Sequence, residues 1–251
     1  MSFVIVFITA FLAGAINSVA GGGTLITFPA LVWVGLPSTV ANATSTVAIW
    51  PGSLGGVWGY RDDLEGTPAK TYLLVVPSLI GGLVGAVLLR MTPTDVFDRI
   101  IPLLILFATL LFMLQESVQR APGTTGRGHT GSSAWLGGVL VFQFFVSVYG
   151  GYFGAGIGIL MLAAFGVMGF TDIHQMNGLK AFLALCINGI AAAYFIWRGM
   201  VSWPHALVMA VAAVSGGVWG AGLARRVGPK GVRRAVVVVG FSMAMSMLFR
   251  L

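Results

Sequence analysis

The stretch His174–Trp197, HQMNGLKAFLALCINGIAAAYFIW, is an apolar run of helical length with a single cation set inside it, Lys180. Its length suits the ~20 residues of helix that a hydrocarbon core of about 30 Å requires. Of the fourteen Lys and Arg residues, Lys180 is the one set deep within such a run, and no carboxylate lies close enough along the helix to neutralise it. A lysine at membrane depth costs roughly 2.5–3.5 kcal/mol on insertion scales, so it is expected to face protein or a wet cavity and to mark a pathway. The stretch Asn177-Gly-Leu-Lys180 therefore points first to an anion site.

Outward from this stretch the chain keeps the same character. Of its 251 residues 57% are hydrophobic and 8% charged, against about 25% charged in ordinary soluble domains, and the mean hydropathy is +0.95. Long apolar runs recur at Phe3–Ala20, Thr39–Val57, Tyr72–Leu89, Ile100–Leu114, Trp135–Ala164, Ala206–Leu223 and Val232–Phe249. The reading is an all-α polytopic membrane protein, with the lipid bilayer as its surroundings. The net charge of +7 comes from cations placed singly or in short clusters between these runs, the pattern of topology signals rather than of a nucleic-acid surface. Cys186 is alone, which excludes an internal disulfide and a cysteine zinc site, and His129, His174 and His205 are scattered; no metal and no cofactor are expected. Phe3–Ala20 lacks a basic leader and recurs in the second half of the chain, so it is read as a membrane segment rather than a signal peptide.

The recurrence is an internal repeat. Asn17-Ser-Val-Ala-Gly-Gly-Gly-Thr24, the apolar Leu25–Leu36 and Pro37–Ser45 answer to Gly150–Gly158, the apolar Ile159–Phe170 and Thr171–Lys180. Asn42 and Asn177, Ser53 and Asn188, Gly81 and Gly216, and Arg99 and Arg234 are each 135 residues apart. Residues 1–114 and 134–251 are thus read as two membrane repeats of about four helical segments each, joined by the Gly-, Thr- and Arg-rich linker 115–133. Duplicated halves are typical of secondary transporters, which hold substrate where the repeats meet.

Phe3–Leu36 spans 34 residues, about 51 Å as one helix, too long for one crossing and short for two. Interrupted by Gly21-Gly-Gly23, it is read as two short helices meeting near the midplane, a broken or re-entrant element. With each opening hairpin returning in this way, nine basic residues of the loops near 61–70, 115–133 and 225–234 share one face against four on the other. The positive-inside rule favours that split, which makes the repeats inverted and puts both termini outside the cytoplasm.

The glycine-rich breaks do not read as phosphate loops, since no strand precedes them and no Lys-Ser/Thr follows. Irregular backbone at membrane depth survives only where protein or a water-filled cavity satisfies it, so two breaks imply a central polar cavity. Helix N-termini aimed into it carry partial positive charge and unpaired N–H groups. The expected substrate-binding set is Gly22, Gly23, Thr24, Asn42, Thr44, Ser45, Gly156, Gly158, Asn177 and Lys180, with Tyr149, Tyr152 and Trp50 as candidate walls. For Asn42, Thr44 and Ser45 helix capping and interhelical bonding weigh equally. Asn17, Asn188 and Ser53 read as packing contacts, and Trp33, Trp58, Trp197 and Trp203 as membrane-surface residues. All seven acidic residues fall in loops or at helix ends, which argues against a proton relay through a buried carboxylate; a coupling Na⁺ or H⁺, or uncoupled flux, stays open.

The duplicated Gly-rich break, the helix start Ala41-Asn-Ala-Thr-Ser45, and Met176-Asn-Gly-Leu-Lys180 through Ile196-Trp-Arg-Gly199, Trp203-Pro204 and Gly216-Gly217 together resemble the sulfite exporter TauE/SafE (TSUP) family of integral membrane permeases. The resemblance covers nearly the whole chain. It implies a bacterial inner-membrane, multi-pass transporter of sulfur-containing anions such as sulfite, sulfonates or sulfoacetate. The second break reads Gly154-Ala-Gly-Ile-Gly158 instead of three glycines, and Lys180 stands where the first half has Ser45, so the expected cavity is charged on one side. Rival readings are an anion channel, a carrier of another small carboxylate or inorganic anion, a non-transporting assembly factor, and a membrane enzyme, for which no nucleophile–base pair is in evidence. The expected partner is a small anion, not a nucleic acid, and a second copy of the chain remains open.

Overall fold

The computed structural model describes residues 2–19, 22–65, 67, 69–120, 133–168, 170, 172–220, 231, 234 and 236–246. Of the stretches read above, Gly21, Thr171, the middle of the linker (121–132) and the basic cluster 225–233, apart from Gly231, lie outside these residues. The described chain is helical: α1 Ser2–Val19, α2 Thr24–Trp33, α3 Ser38–Gly59, α4 Val75–Met91, α5 Thr94–Arg120, α6 Ser133–Tyr152, α7 Ile157–Val167, α8 Ile173–Trp197, α9 Trp203–Ser215 and α10 Val236–Ser246. Among the described residues three helical stretches, Thr71–Met91, Thr94–Leu114 and Ile173–Trp197, have the length and apolarity to cross a membrane.

Local chemistry sets several of these ends. Asp172 caps α8, its carboxylate accepting from the N–H of His174 at 2.8 Å, which satisfies one of the orphan donors of the first turn. Pro204 sits in the first turn of α9, where a missing N–H costs nothing. The apolar run Trp135–Ala164 is split into α6 and α7 at Phe153–Gly156. α5 continues past Leu114 to Arg120, six residues into the segment read as linker, because Gln115-Glu-Ser-Val-Gln-Arg120 contains no breaker and mostly good helix formers. Beyond Leu114 the first Pro-Gly pair comes only at Pro122.

The packing interleaves early and late helices. α4 lies against α6 and α8, α9 against α1 and α3, α3 crosses α8, and α5 supports α7. Between apolar helices in lipid there is little hydrophobic force, and close backbone approach takes its place. Glycine makes that approach: a methyl group added at Gly81 would lie 2.6 Å from the Phe144 carbonyl, and one at Gly85 or Gly151 would overlap the carbonyl of Val148 or Gly82. On the other side Gly14 meets Ala213 and Gly216 meets Phe11 in the same manner. Phe28 of α2 is fully buried edge-to-face between Phe97 and Phe153, with ring centroids 6.4 and 5.5 Å away. Each such pair adds about 0.5–1.5 kcal/mol to the area buried.

The outer surface carries apolar residues at Val76, Ile80, Leu103, Phe145, Leu207 and Val211, more than a water-facing surface tolerates. Trp33, Trp58, Trp197 and Trp203 are exposed at helix ends. Arg61 stacks over Trp58 at 4.9 Å and Arg198 over Trp197 at 5.2 Å, pairings suited to a membrane–water boundary. The loop after α3 folds onto the start of α8, where Tyr60 and Leu64 pack against Gly178 and Gln175 bonds Thr67 at 3.2 Å.

Candidate functional site

Two interruptions of the helical chain meet one helix. The first separates α1 from α2 at Gly22, with φ +97°, and the second separates α6 from α7 at Gly154 and Gly156, with φ +81° and +80°. These left-handed conformations are open to glycine and costly for other residues. Phe112 of α5 packs directly on Gly22, and Leu111 and Ala108 of the same helix pack on Gly156. Residues 108, 111 and 112 share one face of a helix, so α5 is the shelf on which both breaks rest. Gly156→Ala should lower stability by about 1–2 kcal/mol, read as a drop of a few degrees in thermal unfolding of the purified protein; an unchanged midpoint would contradict the left-handed turn.

Each break satisfies its backbone differently. At the first, Asn17 Oδ1 accepts the N–H of Gly23 at 2.8 Å, and Thr27 Oγ1 donates to the Gly23 carbonyl at 3.1 Å. Thr27 also bonds Ser45 Oγ at 2.7 Å, tying α2 to α3. At the second, Tyr149 OH donates to the Ala155 carbonyl at 2.7 Å, and α7 starts from Gly156 without a side-chain cap. The N-terminus of α7 therefore keeps the partial positive charge and donors that suit an anion.

Lys180 lies against that terminus. A methyl group at Gly158 would sit 2.9 Å from Lys180 Cδ and 3.7 Å from Cε, so the stem of the lysine runs across the first turn of α7. Its Nζ donates to Asn177 Oδ1 at 2.7 Å, and Asn177 Nδ2 donates to the Ile173 carbonyl at 2.9 Å. That second bond holds the amide oxygen toward the lysine. An ammonium has three donors, and the described residues engage one. Among those residues the ion pair is Arg61–Asp62, exposed and on another segment; no carboxylate pairs with Lys180. Lysine and uncapped helix terminus thus add charge of one sign at one place.

Gly156, Gly158, Asn177 and Lys180 are brought together in this way. Gly22, Gly23 and Thr24 form the other break, on the same shelf, with the Gly23 N–H committed to Asn17. The α3 residues each engage a different element: Asn42 Nδ2 donates to the Tyr152 carbonyl at 2.8 Å, Thr44 Oγ1 accepts the N–H of Ser202 at 3.0 Å, and Ser45 bonds Thr27. None of these bonds reaches Lys180. Trp50 donates to the Leu185 carbonyl at 3.1 Å, fixing the α3–α8 crossing. Thr27 was not singled out from the sequence; its signal was a hydroxyl within the apolar Leu25–Leu36. Among the described residues no three His, Cys, Asp or Glu side chains gather as metal ligands.

Comparison with known proteins agrees with this architecture. Residues 6–247 match the family model "Sulfite exporter TauE/SafE". A "Probable membrane transporter protein" of Haemophilus influenzae is 27% identical over 98% of this chain and 94% of its own length. "Probable membrane transporter protein ORF9" of Sinorhizobium sp is 28% identical over 96% of the chain and 90% of the relative, and YfcA of Escherichia coli K12, a "Probable membrane transporter protein", is 26% identical over 98% and 89%. No solved structure matches. With nearly its whole length accounted for by the match, the apolar helical chain belongs to the sulfite exporter TauE/SafE family of membrane transporters.

Proposed function

We propose that this protein is a secondary transporter of small sulfur-containing anions, sulfite or organosulfonates such as sulfoacetate, bound near the membrane midplane beside Lys180. The observation that carries the reading is the Lys180 stem laid across the uncapped start of α7, its ammonium bonded to Asn177 and to no carboxylate among the described residues. Two positive elements side by side favour an anion, and the donors of a lysine and of a helix start suit the several oxygens of a sulfite or sulfonate group.

The transport part of the reading rests on a duplicated, inverted architecture, residues 1–114 and 134–251. It is supported by the exchange in packing: α4 sits on α6 and α8 as α9 sits on α1 and α3. The bond from Trp50 to Leu185 joins positions 135 apart, the offset that also relates Gly81 to Gly216. In this reading the halves rock about the α3–α8 crossing, the basic loops face the cytoplasm, and the membrane is the bacterial inner membrane.

The test is flux in proteoliposomes of purified protein with sulfite, sulfoacetate, taurine, sulfate and acetate. Saturable flux of a sulfur oxyanion is expected. Flux of acetate alone would replace the substrate class, unitary currents would make the protein a channel, and no flux of any of them would overturn transport.

A further inference from the structure

Buried oxygens without hydrogen-bond partners are scarce in folded proteins. Among the described residues two of them stand one turn apart on α3: Ser38 Oγ and Asn42 Oδ1, on residues 3% and 1% exposed. Side chains four apart share a helix face, with Cβ atoms about 5–6 Å apart, so both residues lie on the same side of α3. The orientation of the Asn42 amide is fixed, because its Nδ2 donates to the Tyr152 carbonyl and the rotated amide would set oxygen against oxygen. Gln143 Oε1 is also unpartnered, but its amide bonds the Ser78 hydroxyl, which accepts either orientation. Asn42 therefore presents an acceptor only. An anion, bringing more acceptors, is the wrong partner for it.

We propose that Ser38 Oγ and Asn42 Oδ1 are two ligands of a sodium-ion site where α3 meets the end of α6, separate from the anion site at Lys180. The Tyr152 carbonyl, which holds Asn42 Nδ2, keeps a second lone pair beside the same amide and is the third oxygen available. Every ligand is neutral, and the partial positive charge at the start of α3 weighs more heavily against two units of charge than against one. The site therefore suits a monovalent ion rather than a divalent one, which needs carboxylates. Sodium is close in size to calcium, whose bonds to oxygen are about 2.3–2.6 Å. Side chains one helical turn apart can share an ion of that size, and the longer bonds of potassium are inferred to fit it less well. A cation held here offsets the charge of an anion carried in the same cycle, but the site stands on its own residues and not on that anion's identity.

The experiment is thermal unfolding of the purified full chain in NaCl, KCl and choline chloride at equal ionic strength. A saturable rise of at least about 3 °C in NaCl over KCl is expected for the wild type. It should persist in Lys180→Ala and be mostly lost in Ser38→Ala and Asn42→Ala. Ser38→Ala removes a hydroxyl that bonds none of the described residues and so decides the matter even where Asn42→Ala folds poorly. Equal midpoints in NaCl and KCl, as for a pair bridged by water alone, would overturn the proposal. So would a sodium shift that survives in Ser38→Ala, and a shift abolished by Lys180→Ala would overturn the separation of the two sites. Failure of anion flux with the sodium shift intact would count against the transport reading and leave this one standing.

Discussion

Replacing Lys180 by alanine is expected to cut anion flux about ten- to a hundred-fold, the loss that follows from removing one charged hydrogen bond of about 1.5–3 kcal/mol. Folding should not suffer in parallel. The lysine bonds only Asn177 among the described residues, and a charge at membrane depth is itself a cost, so the variant should unfold at or above the wild-type temperature. That opposition separates a binding role from a packing one. Gly158→Ala supplies the graded version: its methyl group would crowd Lys180 Cδ at 2.9 Å, and since the stem can yield by a few tenths of an ångström, flux should fall only a few-fold. A variant with wild-type flux in both cases would remove Lys180 from the substrate site.

The largest effect on stability is expected at the α4–α6 contact. Gly151→Ala would drive a methyl group into the carbonyl of Gly82, and Gly85→Ala would do the same to Val148. Backbone cannot swing aside as a side chain can, so the helices must part. The cost should reach about 3 kcal/mol, the upper end of overpacking penalties, or roughly 6–12 °C in a chain of this size. Gly137→Ala on the same helix is the control. Nothing lies within 4 Å of its added methyl group, and alanine is the better helix former by about 1 kcal/mol, so its midpoint should hold or rise. Thermal unfolding in detergent reads all three.

What the sequence made legible was whatever leaves a local mark. Apolar length announced the membrane helices, the run from His174 announced α8, and Lys180 was conspicuous because nothing around it shared its charge. The glycine runs were read as breaks, with no mark of which glycines would be left-handed: Gly22, Gly154 and Gly156 are, while Gly23 is in ordinary helical conformation. Partnerships between distant segments left no such mark. Ser45 reads like Thr44 or Asn42 in the sequence, yet the three bond Thr27, Ser202 and Tyr152. The role of α5 as the support of both breaks was equally hidden, since Ala108, Leu111 and Phe112 look like any other lipid-helix residues. The end of α5 followed helix propensity at Gln115–Arg120 rather than hydropathy, which is why the polar segment began before the helix ended.

The central claim is that Lys180 and the start of α7 bind an anion, and direct binding tests it without any assumption about coupling or direction. Calorimetric titration of the purified protein with sulfite, sulfoacetate and acetate should show a sulfur oxyanion binding to the wild type and at least about ten-fold more weakly to Lys180→Ala. Equal affinity in the two proteins, or heat from none of the three anions in either, would contradict it.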